Sequence, residues 1–145
     1  MRSSPPPERT VEEGTALSED VDSRQRVITA ALAAIDAGDL AAATNYLCDD
    51  VTVRFGNFEP LVGAAMFTQL FQQFATSLRA VRHEIHDIWP AANDPDVLAA
   101  TMTAHYTRTD GRRVSLPCCN VFRMSGGLIA EYRVYMDIGP ALVAQ

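Results

Sequence analysis

Thr101–Asp137 is the stretch that most constrains this chain, because it reads as a three-stranded antiparallel meander. Asp110-Gly111 is a hairpin dipeptide: a type I′ turn needs two residues that tolerate positive φ. Ser125-Gly126-Gly127 supplies the second turn. The runs between them are rich in Val, Thr, Tyr, Phe and Ile, residues suited to a pleated, half-buried surface.

The segments before the meander read as helices with two strands among them. Val27, Ala30, Ala31, Ala34 and Ile35 recur at helical spacing, predicting a helix over 23–37 that Gly38 ends. Asp39 caps a short helix over 40–47, and a short strand follows over 51–55. Gly63 opens a third helix over 64–78, with Met66, Leu70, Phe71 and Phe74 on one face. A long strand over 79–89 leads through Pro90–Pro95 into the meander. This order predicts an α+β fold, with a curved antiparallel β-sheet wrapped around three helices.

Residues 1–21 are polar and include Pro5-Pro6-Pro7, so they are expected to form a disordered tail. A single domain over 22–140 and a short tail over 141–145 complete the expected organisation. A net charge of −6 argues against a nucleic-acid partner. No basic cluster suggests a membrane surface, no apolar run is long enough to span one, and no signal peptide is read at the N-terminus. Three cysteines, Cys48, Cys118 and Cys119, make neither a disulfide framework nor a metal-ligand spacing. The expectation is a reduced, cytoplasmic protein with no metal and no cofactor.

Ala37-Gly38-Asp39-Leu40, Asp49-Asp50-Val51-Thr52-Val53, Gly63 and the meander's Asn120-Val121-Phe122-Arg123 and Ile129-Ala130-Glu131-Tyr132 carry a resemblance. Over residues 23–140 the chain resembles the nuclear transport factor 2-like superfamily. Its members include ketosteroid isomerase, scytalone dehydratase, limonene epoxide hydrolase and the SnoaL-type cyclases. The resemblance implies a cone-shaped fold with a pocket inside the sheet.

Strand alternation then selects pocket residues. A two-residue turn at Asp110-Gly111 pairs Thr109 with Arg112 and sets His105 opposite Leu116. Thr101, Thr103 and His105 are thereby expected inward with Leu116, Cys118 and Asn120. Tyr132, Val134 and Met136 are expected inward on the last strand. Phe55 lies at the end of the short strand and Asn57 at the rim. For His83 and His86 the pattern does not decide. The expected pocket is apolar with a few polar groups, the usual make-up of a small-molecule site.

The resemblance also bears on chemistry. The epoxide hydrolase's Tyr and Asn positions fall on Phe55 and Asn57, and its Arg and two Asp positions on Thr103, His105 and Val134. The isomerase's base, Tyr and protonated Asp fall on Phe55, Ala31 and Asn120. Neither set survives here. The SnoaL-type cyclases use an Asp near the end of the sheet; Asp137 is the candidate, expected outward. Scytalone dehydratase uses histidines and an Asn, which implies His105 as general base and Asn120 as donor to an enolate oxygen. The expected function is cofactor-free dehydration, isomerisation or cyclisation of a hydrophobic, oxygenated substrate. The alternative is a non-catalytic ligand-binding or dimerisation module. Pro117, Cys119, Val121 and Tyr135 on the outer face suggest a homodimer.

Overall fold

The computed structural model describes residues 11–142, with side chains from Asp20 onward. Residues 1–10 and 143–145, and with them parts of the two expected tails, lie outside the described residues. The first helix, α1, runs from Val11 to Asp36. The tail expectation is therefore corrected over 11–21, where good helix formers such as Glu12, Glu13, Ala16 and Leu17 extend the helix.

The sequence periodicity of α1 is the one its packing uses. Ile28, Ala31, Leu32 and Ile35 are buried on one face. Each fully buried Ile or Leu contributes about 1.5–3 kcal/mol. Gly38, at φ +73°, ends the helix, and Asp39 then accepts from Ala42 N at 3.0 Å to cap α2 (Leu40–Thr44). β1 (Leu47–Phe55) and β2 (Leu61–Val62) form a small antiparallel pair. α3 (Ala64–Phe74) buries Phe67 and Leu70. β3 (Leu78–Ala91), β4 (Asp94–Arg108), β5 (Arg113–Ser125) and β6 (Leu128–Tyr135) follow, then a single turn, α4 (Gly139–Leu142).

The six strands form one curved, open sheet in the order β2-β1-β6-β5-β4-β3. The α+β architecture is the expected one. The sheet, however, is mixed rather than wholly antiparallel, because β1 pairs with β6 in parallel. A strand early in the chain thus closes against the last one. The core lies between the concave face of the sheet and α1, α2 and α3.

The β4–β5 hairpin sets which side chains enter that core. Gly111 N donates to Arg108 O at 3.0 Å, and Arg108 N donates to Arg112 O at 2.8 Å. The loop is therefore three residues long, Thr109-Asp110-Gly111. Gly111 has φ +87°, while no described non-glycine residue has positive φ. Asp110 thus cannot sit in a type I′ turn; the loop is a type I turn closed by a left-handed glycine. The Asp110 carboxylate holds this shape by accepting from Arg112 N at 3.0 Å and from Arg108 Nε. Arg108 is itself buried and donates to Ala141 O at 3.1 Å.

This loop corrects the expected register by one residue. His105 lies opposite Ser115 and Ala104 opposite Leu116. A one-residue slip exchanges the two faces of a strand. Met102, Ala104 and Tyr106 point into the core, and Thr101, Thr103 and His105 lie on the convex face.

Candidate active site

A cavity of about 260 Å³ opens between the concave face, the α1–α2 junction and the end of α3. Six of the expected residues line it: Phe55, Cys118, Asn120, Tyr132, Val134 and Met136. Leu116 shares their face but packs at the edge of the core and does not reach the cavity. Asn57 lines a neighbouring surface depression with Phe58, Tyr135 and Asp137, which meets the cavity at Phe55 and Met136. Gly56 lies in the wall between them: its φ is +54°, and a Cβ there would stand 3.1 Å from Met136 O.

His105 and Thr103 are not in the cavity. On the convex face His105 Nδ1 lies 2.7 Å from Ser115 Oγ, and its Nε2 lies 2.7 Å from Glu84 Oε2. The hydrogen bond from His105 holds the Glu84 carboxyl below the usual carboxylate range. Thr103 Oγ1 meets His86 Nε2 at 2.9 Å on the same face. The expectation that His105 serves as the pocket base is thereby corrected. Its physical cause is the hairpin register.

The histidine inside is His83. Its neighbours across the ladder decide the face, since Val81 lies opposite Tyr106 and His83 opposite the buried Ala104. Asp36, in the last turn of α1, accepts from His83 N at 2.9 Å through Oδ2 and lies 2.6 Å from His83 Nδ1 through Oδ1. Both residues line the cavity. A carboxylate on Nδ1 requires that nitrogen to carry the proton when the ring is neutral. Nε2 is then left with its lone pair, the form a general base needs. The His83 side chain is only 9% exposed and that of Asp36 22%, so solvent screens the pair weakly.

Opposite the dyad stand groups that donate mostly to sulfur. Asn120, 1% exposed, accepts from Cys118 Sγ at 3.2 Å and donates through Nδ2 to Met102 Sδ at 3.9 Å. Tyr106 OH donates to Met136 Sδ at 4.0 Å. A thioether is a weak acceptor, so the Tyr106 hydroxyl would gain by meeting an oxygen, while Asn120 also hydrogen-bonds the Tyr132 hydroxyl. Burial pushes the Tyr106 and Tyr132 hydroxyls well above the usual phenol range and the Cys118 thiol up to about 12. All three are neutral donors rather than anions. Aromatic rings supply the remaining wall, with Phe55 and Phe74 centroids 5.0 Å apart, and Phe122 in the core packs edge-on to the lining Tyr132 at 4.9 Å.

Asp36, His83 and Tyr106 are the site residues that sequence reasoning missed. Asp36 sits at a helix end beside Gly38, where an acid reads as surface. The signal for Tyr106 was present, because Met102, Ala104 and Tyr106 are together more apolar than Thr101, Thr103 and His105. Among the described residues no group of three or more His, Cys, Asp or Glu side chains is placed to hold a metal. No helix among them is long and apolar enough to cross a membrane.

Helices packed inside a curved sheet, with a polar-studded apolar cavity between, define the nuclear transport factor 2-like class. Within that class the chain belongs to the SnoaL-like domain family, whose model matches residues 28–132. The fold is shared with a nuclear transport factor 2-like protein of unknown function from Burkholderia pseudomallei. That pair has a TM-score of 0.75 and 14% identity, covering 84% of this chain and 98% of the other. A candidate polyketide cyclase from Pseudomonas putida is similar at a TM-score of 0.67 and 24% identity, over 80% and 92% of the two chains. An epoxide hydrolase of the limonene-hydrolase type from M. tuberculosis is similar at 0.70 and 22%, over 83% and 90%. No curated protein matches the chain in sequence.

Proposed function

We propose that the cavity binds a hydrophobic, oxygenated small molecule and moves a proton on it, in a dehydration, isomerisation or cyclisation. The observation that carries this reading is the His83–Asp36 dyad on the cavity wall, 2.6 Å between Nδ1 and Oδ1. Asp36 orients the ring, and His83 Nε2 takes a proton from carbon beside a carbonyl. The electron pair moves onto the carbonyl oxygen, which accepts from Asn120 Nδ2. The imidazolium then returns the proton to a leaving hydroxyl, which departs as water, or to another carbon, which isomerises the ligand. General-base help of this kind contributes about 10²–10⁴-fold, and one donor to a developing oxyanion about 10²–10³-fold. Names carried by similar folds, a polyketide cyclase and a hydroxylase among them, are consistent with a small oxygenated ligand.

The test needs no knowledge of the natural substrate. 5-Nitrobenzisoxazole opens to a coloured phenolate when a base removes its one C–H proton beside the ring nitrogen. The protein is expected to turn it over in a saturable way. His83→Gln should lose about 10²–10⁴ of that turnover. A His83→Gln variant within about threefold of the parent would remove His83 from the mechanism. A second reading, a binding module without turnover, is favoured by one observation: Asp36 is the only carboxylate lining the cavity among the described residues, and His83 already occupies it.

A further inference from the structure

The mouth of the cavity carries a cation whose role the dyad does not explain. All twelve basic residues of the chain are arginines, set against 18 acids. Arg24, Arg108, Arg123 and Arg133 each meet an acid within 4 Å. Arg79 does not, and neither do Arg26, Arg54, Arg82 and Arg113, but of the arginines among the described residues Arg79 is the one that lines the cavity. It is exposed, and its side chain makes no hydrogen bond or ion pair among the described residues.

The backbone places it there. In the β3–β4 ladder Leu78 lies opposite Arg108 and Ala80 opposite Thr107, so Arg79 is the extra residue of a bulge. A bulge re-aims a side chain that regular alternation would leave elsewhere, and bulges gather beside active sites. Here the bulge falls at Arg79, an exposed residue of the cavity lining four residues along the strand from His83. Inside, the fixed negative charge is Asp36, and the walls are aromatic and aliphatic. An anion drawn fully inside would lose its hydration and face that carboxylate. An anion held at the rim stays hydrated and meets Arg79, whose planar fork matches a carboxylate with two parallel N–H donors.

We infer that the ligand is a hydrophobic acid, bound with its apolar body in the cavity and its carboxylate at the mouth on Arg79. This inference rests on the cavity being the ligand site, and it assigns Arg79 as a specificity residue rather than a catalytic one. It predicts discrimination by charge between ligands of one shape.

The probes are 2-naphthoate and 2-naphthamide, which share a ring and a planar head and differ in one negative charge. Titration by calorimetry into the wild-type chain at low salt is expected to show naphthoate binding about five-fold tighter than naphthamide. That preference should shrink as salt rises through several hundred millimolar, since the rim is open to screening. Arg79→Gln should abolish the preference and leave naphthamide within twofold, whereas Arg79→Lys should keep most of it. Equal binding of the two probes to the wild type would overturn the inference while leaving the cavity a ligand site. An equal loss of both probes in Arg79→Gln would also overturn it, showing a structural role. If neither probe binds the wild type at millimolar concentration, the cavity reading fails, and the inference with it.

Discussion

The two faces of the sheet carry nearly the same pair of groups in different surroundings. On the concave face His83 meets Asp36 at 2.6 Å, and on the convex face His105 meets Glu84 at 2.7 Å. Inside, the side chains are 9% and 22% exposed; outside, 30% and 49%. Bond length does not separate them, but surroundings do. A charge pair in water is screened and contributes little. A pair against an apolar cavity interacts at a lower effective dielectric and can act on a bound molecule. Cys118 and Cys119 repeat the contrast in neighbouring residues, one in the cavity wall and the other on the convex face.

The sharpest way to break this comparison is chemical labelling of those cysteines. Burial lifts the Cys118 pKa to about 12, so at pH 8 its thiolate fraction is on the order of 10⁻⁴. Iodoacetamide should label it about 10³-fold more slowly than a free thiol. Its rate should climb roughly tenfold per pH unit until the pKa is approached or the fold opens. Peptide mass spectrometry showing Cys118 labelled at a free thiol's rate at pH 8 would contradict the buried wall.

Next in size is the exchange of carboxylates for amides. Asn at position 36 can donate to His83 Nδ1, which moves the ring proton to Nε2 and removes the base. Asp36→Asn should lower turnover of 5-nitrobenzisoxazole by about 10² or more. Glu84→Gln on the other face should leave it unchanged. Equal effects of the two substitutions would erase the distinction between the faces.

The smallest effect is on stability. Asp36→Ala strands a part-buried imidazole and a backbone N–H, which costs about 1–3 kcal/mol in urea unfolding. Glu84→Ala should cost less than Asp36→Ala near neutral pH, because the convex-face pair is more exposed. The folded-state pKa of Glu84 is lowered, so any stability it gives is present above the ordinary carboxylate range. It is lost as pH falls through the folded value. The wild type and the Glu84 variant should therefore converge on acidification.

Element order was legible because helices and strands announce themselves by period, and Gly38, Gly63 and the paired glycines mark their ends. Cys118, Asn120, Tyr132 and Val134 were legible because β5 and β6 alternate cleanly. The dyad was not, and the reason is local. Arg108-Thr109-Asp110-Gly111 supports a two-residue and a three-residue loop equally well on paper. What selects the longer loop is the Asp110 carboxylate gripping Arg112 N and the buried Arg108, a tertiary arrangement. Weighing the apolar alternation of Met102, Ala104 and Tyr106 above the dipeptide would have turned β4 the right way. Asp36 carries no such signal, because its partner lies 47 residues away.

The parallel junction of β1 with β6 has a kinetic consequence. β3, β4 and β5 follow one another through short turns and can zip together locally. β1 must wait for β6, so the long connection between them has to close before Phe55 can lie beside Val134. Closing a long loop spends chain entropy before any contact rewards it. The meander is therefore expected to gain protection first in pulse-labelled amide exchange, with β1 last. On that order the chain acquires its sheet early and its completed cavity wall only at the final step of folding.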